Sequence, residues 1–240
     1  MTSLTDATDV FAAAGGEACV VLFLARRQHG VSRRSRLTAV AGVHTALDQL
    51  AADGWSLSVR HMFGESNSPA CYATGFAHDI DFAGAFEAPD SQQALQGTIA
   101  LEEAGWGTLA RTEWLLGIRE FAPVAPTTEP TDHPWGFIAL WQWNDAWQAA
   151  TAEERSAYDA ECDVAFTHDV QGGARIAGRH RLDWSSRWHH VGLWEVPSVE
   201  MLDRAMREHE RVADFKFGTS RHYVGRRRPL LALLEEDTDV

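Results

Sequence analysis

Two histidines stand side by side between tryptophans in the segment RWHHVGLWEV, residues 187–196. Valine and tryptophan favour a β-strand, in which neighbouring side chains point to opposite faces. His189 and His190 therefore cannot easily bind one metal ion. Trp188, His190 and Trp194 share a face that is aromatic and carries an imidazole able to transfer a proton. We expect His190 to be an acid–base candidate beside an aromatic ligand.

His209 lies in the segment SVEMLDRAMREHERVADF (198–215), which is predicted to be a helix with Ser198 as its N-cap. Apolar side chains recur there at steps of three and four residues, and His209 belongs to the same face: Leu202, Ala205, Met206, Val212 and Ala213. A neutral imidazole in an apolar pocket is a good iron ligand. The alternative is a core histidine that is hydrogen-bonded to a neighbour.

Three further side chains have suitable chemistry. His61 and His180 occupy equivalent predicted strand positions in the two halves of the chain, and either could act as an acid or a base. His222 and Arg226 share one face of the last predicted strand, with Tyr223 on the other. An arginine beside an aromatic pocket could bind a carboxylate, a propionate or an oxyanion. Arg226 therefore joins His190, His61 and His180 as a candidate for catalysis or binding.

The bulk properties of the 240-residue chain exclude several classes of function. Its net charge of −13 disfavours binding to nucleic acids or anionic membranes. Its three cysteines include no CxxC pair, so neither a disulfide framework nor a zinc site is indicated. We see no signal peptide, membrane-length apolar run, Ser-His-Asp order, phosphate loop, GxGxxG or HExxH motif. We therefore expect a cytoplasmic protein that acts on a small molecule.

The elements that must position these residues fall into two halves, residues 1–121 and 135–230. A Pro- and Thr-rich linker at 122–134 separates them, and an acidic tail follows at 231–240. In the second half we predict a strand, a helix, two strands, a helix and a strand: 136–143, 151–166, 174–183, 187–196, 198–215 and 220–228. A capping box of Thr151 and Glu154 opens the first of these helices.

The first half repeats this order, with predicted elements at 18–25, 35–54, 55–64, 81–89, 91–105 and 110–121. GAFEAPD aligns with GLWEVPS, and SVRHMFG aligns with AGRHRLD. About eleven extra residues near ESNSPACYATGFAHD (65–79) form a candidate loop or lid. Each half is then a β-α-β-β-α-β module, so the fold class is α+β with tandem ferredoxin-like repeats.

This order of elements resembles the dimeric α/β-barrel superfamily, here with two repeats fused in one chain. The W-x-x-x-T-x-E-E-R pattern at 147–155 also resembles the small darcynin-like proteins. The superfamily resemblance implies an intramolecular barrel that needs no second chain, so the protein could be monomeric. It places Trp188, His190 and Trp194 in the barrel interior with Phe137, Trp141 and Trp143. Val191, Leu193, Ile138 and Leu140 then face the helices.

The resemblance implies three functions. Some members bind haem (haem-degrading monooxygenases, chlorite dismutase-like and dye peroxidase-like enzymes, aldoxime dehydratases), others oxidise phenols without a cofactor, and others only bind small molecules. In small haem-binding members a histidine on the helix between the third and fourth strands holds the iron; His209 has that place here, and Leu101 has it in the first half. The first hypothesis is a haem-dependent oxidoreductase or lyase of bacterial secondary metabolism, with haem packed against Trp141, Trp188 and Trp194. The alternatives are a cofactor-independent monooxygenase for phenolic or polyketide-type substrates and a non-catalytic binding protein.

Overall fold

A computed structural model describes residues 16–75, 77–126, 132–212 and 214–236. These residues form two compact units. The first unit comprises residues 17–118 and 224–236, and the second unit comprises residues 119–223.

The first unit follows the order β-α-β-β-α-β with short helices added. Its elements are β1 (Cys19–Arg27), α1 (Arg33–Ala52), α2 (Val59–Met62), β2 (Ala70–Ala73), β3 (Phe82–Ala88), α3 (Ser91–Glu103), α4 (Trp106–Leu109) and β4 (Ala110–Arg119). Strand β1 pairs with β3 on one side and with β4 on the other, β2 pairs with β3, and all three pairings are antiparallel. Phe23 packs over Gly84 and contacts Phe86 and Trp106, so an aromatic core fills this unit.

One predicted strand of the first half is wrong. Residues 55–64 contain only a single β-bridge, at Ser56, and then form helix α2. The hydroxyl of Ser58 accepts a hydrogen bond from the backbone N–H of His61, and this cap turns the chain away from extended structure. Strand β2 instead forms inside the predicted insertion, at residues 70–73, so that segment is part of the sheet rather than a lid.

The second unit has the same order of main elements. They are β5 (Trp135–Trp143), α5 (Asp145–Ala149), α6 (Ala152–Gln171), β6 (Arg175–Arg181), β7 (His190–Val196), α7 (Val199–Arg211), α8 (Asp214–Phe217) and β8 (Gly218–Pro229). Strand β7 pairs antiparallel with β5 on one side and β6 on the other, and the start of β8 lies beside β5. Strand β8 then continues into the first unit, where it pairs with β2.

The predicted helix caps of the second unit are confirmed. Thr151 and Glu154 form the reciprocal capping box at the start of α6. Ser198 accepts a hydrogen bond from the backbone N–H of Met201 and so caps α7. These caps fix where the two helices begin, and with that the positions of the side chains that they turn towards the sheet.

The predicted linker and tail are partly described. Val124 forms a β-bridge with Ile176, while residues 127–131 lie outside the described residues. Helix α9 (Leu230–Glu235) occupies the start of the predicted acidic tail, and three of its four leucines are buried: Leu230, Leu233 and Leu234. The domain boundaries drawn from the sequence stay predictions. Among the described residues, no helix has both the length and the apolar character needed to cross a membrane.

Candidate functional site

A cavity lies between the sheet of the second unit and helices α6 and α7. It holds about 950 Å³ of empty space, including the part that is open to solvent. Aromatic side chains from the sheet, α6 and α8 dominate its walls: Phe137, Trp141, Trp143, Tyr158, Phe166, Trp194 and Phe215.

The aromatic face of β5 and β7 is turned towards the helices. The Trp194 ring lies 5.7 Å from the Phe166 ring of α6 and 5.9 Å from the His209 ring of α7. The prediction that this face is turned away from the helices is therefore wrong. The aliphatic side chains predicted to face the helices alternate with these residues and lie on the opposite face: Ile138, Leu140, Val191 and Leu193.

Alternation along a strand shows which residues share a face, but it does not show which face the helices cover. Small residues among the aromatic ones explain the outcome. Ala139, Gly178 and Gly192 line the cavity. They leave space between sheet and helix that the larger rings border without filling.

The cavity has two chemically different ends. We call the end around His209, Phe166 and Trp194 the histidine end. The other end, where Trp143 lies 6.2 Å from Tyr158 between ring centres, we call the acidic end because of the carboxylates described below. Along β5, Phe137 and Trp143 are roughly 20 Å apart at about 3.3 Å per residue, whereas along α6 Asp163 and Phe166 are only about 4.5 Å apart.

At the histidine end, His209 forms a buried pair with Asp169. The Nε2 atom of His209 lies 2.9 Å from a carboxylate oxygen of Asp169, and the two side chains are 2% and 4% exposed. The Phe166 ring packs 4.6 Å from the imidazole. A carboxylate on one ring nitrogen fixes the orientation of an imidazole and raises its basicity, as it does beside metal-binding histidines.

A β-bulge in strand β6 turns Arg179 into the cavity. Ile176 pairs with Trp194 and Arg179 pairs with Gly192, so three steps along β6 match two steps along β7. Ile176 and Arg179 therefore face the same side, although strict alternation would place them on opposite sides. Arg179 donates from Nε to Glu120 over 2.7 Å, and its guanidinium stacks over the Phe121 ring at 4.3 Å.

Two carboxylic acids from α6 line the acidic end. Asp159 is exposed and Asp163 is half-buried. Partial burial raises the pKa of both carboxyl groups above the ordinary value, and the charge of Asp159 raises the pKa of Asp163 further. The nearby Arg179 acts in the opposite direction on both, and burial outweighs it.

Two of the four residues predicted to border the ligand line the cavity, and two do not. Trp141 of β5 and Trp194 of β7 line it, whereas Trp188 and His190 do not. His190 lies behind Trp141, with its ring stacked at 5.2 Å between centres, and its Nε2 is 3.5 Å from a Glu120 oxygen. Burial, together with the charge of Arg179, lowers the pKa of His190 to about 4. The imidazole is therefore neutral at physiological pH.

The structure separates the other predicted acid–base residues from the cavity. His61 lies on α2 in the first unit, where its Nδ1 is 2.9 Å from the Ser56 hydroxyl oxygen. His180 is fully buried on β6, but the bulge that turns Arg179 inward turns His180 to the other face. Arg226 is exposed and belongs to the part of β8 that pairs with β2. These three residues therefore do not line this cavity, and their acid–base or binding roles stay predictions.

The sequence analysis missed the polar lining of the cavity. Cys162 and Asp163 follow Asp159 on α6 by three and four residues, which is a helical-face signal. Arg179 carried no such signal, because only the bulge turns it inward. His222 does line the cavity, 5.0 Å from the Phe137 ring. Across the described residues, no group of three histidine, cysteine or carboxylate side chains is arranged to hold a metal ion by itself.

No protein-family model matches this sequence, and no curated protein matches it. Solved structures do: a mutant chlorite dismutase from Candidatus Nitrospira defluvii has a TM-score of 0.73 at 14% identity, covering 96% of this chain and 100% of its own. The imidazole complex of that chlorite dismutase has a TM-score of 0.73 at 14% identity, covering 92% and 96%. A mutant in complex with cyanide has a TM-score of 0.72 at 14% identity, covering 97% and 98%.

At this level of identity the likeness establishes the fold. The predicted α+β fold class is therefore confirmed, and the fold is like that of the solved chlorite dismutases. Membership of the dimeric α/β-barrel superfamily stays a prediction. The likeness to darcynin-like proteins stays a prediction, as does the internal sequence repeat.

Proposed function

We propose that the second unit binds haem in its aromatic cavity and that the protein is a haem-dependent oxidoreductase. The observation that carries this proposal is a slot with aromatic walls whose buried lining histidine is held by a carboxylate, His209 with Asp169. Aromatic walls suit a flat conjugated macrocycle, and a histidine oriented by a carboxylate suits an iron ligand.

The donor atoms along the cavity fit the requirements of haem iron. His209 is the predicted ligand, and Asp169 would orient its ring. Cys162 also lines the cavity, and a cysteine thiolate is another protein ligand of haem iron. The two donors would give haem different spectra, so the choice between them is open to direct measurement.

The fold supports the same proposal independently. Solved structures that resemble this chain over nearly its whole length include chlorite dismutases, one of which was obtained with imidazole and another with cyanide. Both small molecules are good ligands for haem iron. Haem would supply the redox chemistry that the side chains of the cavity lack.

The residues around the cavity would bind, orient and exclude water. Trp194, Phe166 and Phe137 would pack against the faces of the macrocycle and keep water from the iron. Asp169 would hold the His209 ring. Arg179 is the cation that faces the cavity from β6, and it would supply a hydrogen-bond donor near a reacting oxygen. Lyase chemistry and a place in secondary metabolism stay predictions.

Titration of the purified protein with haemin tests this proposal. We expect a Soret band that saturates at one haem per chain, with quenching of tryptophan fluorescence from Trp141 and Trp194. We then expect the loaded protein to oxidise an organic reductant with hydrogen peroxide. A protein that is colourless as purified and takes up no haemin would overturn the proposal. Oxygen uptake with a phenol would then test the cofactor-independent alternative.

A further inference from the structure

The charges at the acidic end select what can enter the cavity. Asp159 and Asp163 line it from α6, and each carries a negative charge once ionised. Arg179 faces them from β6, but its charge is already opposed by Glu120, whose carboxylate accepts its Nε–H over 2.7 Å. The four groups leave this end with an excess of negative charge. An anion that enters here meets two carboxylates and an arginine that is already paired.

The walls beside these carboxylates are electron-rich. Trp143 and Tyr158 line the cavity next to Asp159, and Trp143 is itself stacked on Trp147 at 4.2 Å between ring centres. The faces of tryptophan and tyrosine rings attract cations, most strongly where water is partly excluded. The stack with Trp147 fixes the Trp143 ring, so little conformational entropy is lost on binding.

The cation that faces these carboxyl groups, Arg179, is shared with Glu120. A bound organic cation would place an opposite charge within a few ångströms of Asp159 and Asp163, and such a charge stabilises ionised carboxylates.

We propose that the acidic end of the cavity binds an organic cation, and that the substrate of the site is an aromatic compound bearing a protonated amine. The inference rests on the proposed function in that it concerns the same cavity. It assigns the substrate to the acidic end of the cavity, which is the end farther from His209. It also separates this chain from the chlorite dismutases that share its fold, since chlorite is an anion.

Three ligands with the same ring and different charge test this assignment by calorimetric titration of the purified full chain. The probes are tryptamine (cationic), 3-methylindole (neutral) and indole-3-acetate (anionic). We expect tryptamine to bind about tenfold or more tightly than indole-3-acetate, a difference of about 1.4 kcal/mol. Equal or tighter binding of indole-3-acetate, or no detectable binding of tryptamine, would overturn the proposal.

A double variant, Asp159→Asn with Asp163→Asn, locates the effect. It should weaken tryptamine binding by about tenfold, strengthen indole-3-acetate binding and leave 3-methylindole unchanged. Asp203→Asn is the matched control, because it removes one negative charge from an exposed position on α7 that does not line the cavity. The single variants Asp159→Asn and Asp163→Asn each remove one charge as the control does. If the control weakens tryptamine binding as much as either of them, net charge rather than the acidic end is responsible, and the proposal fails.

Haem uptake, read from absorbance on the same samples, keeps the two proposals separate. Tryptamine selectivity without haem uptake would leave this inference standing and remove the proposed cofactor. Haem uptake without tryptamine selectivity would overturn this inference and leave the proposed cofactor standing. Circular dichroism and melting of the double variant should match the wild type, which excludes a loss of fold as the cause of weaker binding.

Discussion

His209 and Asp169 form a histidine–carboxylate pair, with 2.9 Å between Nε2 and the carboxylate oxygen, inside a unit where both side chains are nearly inaccessible. The pair joins the end of α6 to α7 and places an imidazole on the cavity wall. It therefore connects the packing of the two helices with the chemistry of the site.

Asp169→Asn tests that connection. Asparagine keeps the shape but loses the charge, so we expect unfolding free energy to fall by about 1–3 kcal/mol. Loss of the carboxylate should also weaken haem binding by about 10- to 100-fold, since groups that orient a metal ligand have effects of this size. Denaturant unfolding and haemin titration measure the two effects. An unchanged haem affinity would mean that His209 does not hold the iron.

The buried ion pair of Arg175 and Glu195 should dominate the stability of the second unit. These residues face each other across β6 and β7 with 2.5 Å between nitrogen and oxygen, and the Glu195 side chain is 0% exposed. Glu195→Gln should cost about 3–5 kcal/mol, because it leaves a buried guanidinium without its counter-charge. Asp203→Asn breaks the exposed pair with Arg207 and should cost less than about 1 kcal/mol. Similar losses for the two variants would contradict this account.

Gly178 should tolerate no side chain. Its φ is +95°, and an added Cβ would lie 2.2 Å from the carbonyl oxygen of Phe121. Gly178→Ala should therefore cost more than the roughly 1 kcal/mol of left-handed backbone strain alone, and it should disturb the bulge that aims Arg179. Gly173→Ala is the control. Gly173 also has a positive φ, +106°, but the atom nearest to an added Cβ, the Cγ of Pro197, lies 3.6 Å away. Thermal melting of both variants should show the larger loss for Gly178→Ala.

His190 should make stability depend on pH. Its pKa is about 4 in the folded protein, below the ordinary histidine value near 6.5. Between those values the unfolded chain binds a proton that the folded chain does not, so stability falls as pH falls from about 6.5 to 4. In His190→Gln, the unfolding free energy should therefore fall less over this pH range, by at most about 3 kcal/mol. The matched control is His44→Gln, because His44 is half-exposed on α1. Melting curves at pH 7 and pH 4.5 that change equally in both variants would contradict the prediction.

Periodicity and capping signals predicted most of the fold. The capping box of Thr151 and Glu154 and the N-cap Ser198 specify local hydrogen bonds, so the sequence identifies α6 and α7 directly. The region 55–64 failed because an alternating apolar pattern competed with the cap at Ser58, and the cap prevailed. Local signals of equal strength cannot be ranked without the tertiary contacts that each would allow.

The site was harder to predict because its geometry depends on one inserted residue. The bulge between Ile176 and Arg179 brings an arginine into the cavity and removes His180 from it. Nothing in the local pattern marks the bulge except Gly178, whose backbone conformation only the structure reveals. The sequence also did not determine which side of the sheet the helices cover. The prediction therefore grouped the residues of β7 by face correctly but assigned the two faces to the wrong sides.

The visible absorption spectrum of the haemin-loaded protein, compared with those of His209→Ala and Cys162→Ser, tests the central claim most directly. We predict a saturating Soret band for the wild type that is abolished or shifted in one of these variants and unchanged in the other, which identifies the iron ligand on the cavity wall. A wild-type protein with no Soret band, or a band that neither variant alters, would contradict haem binding in this cavity.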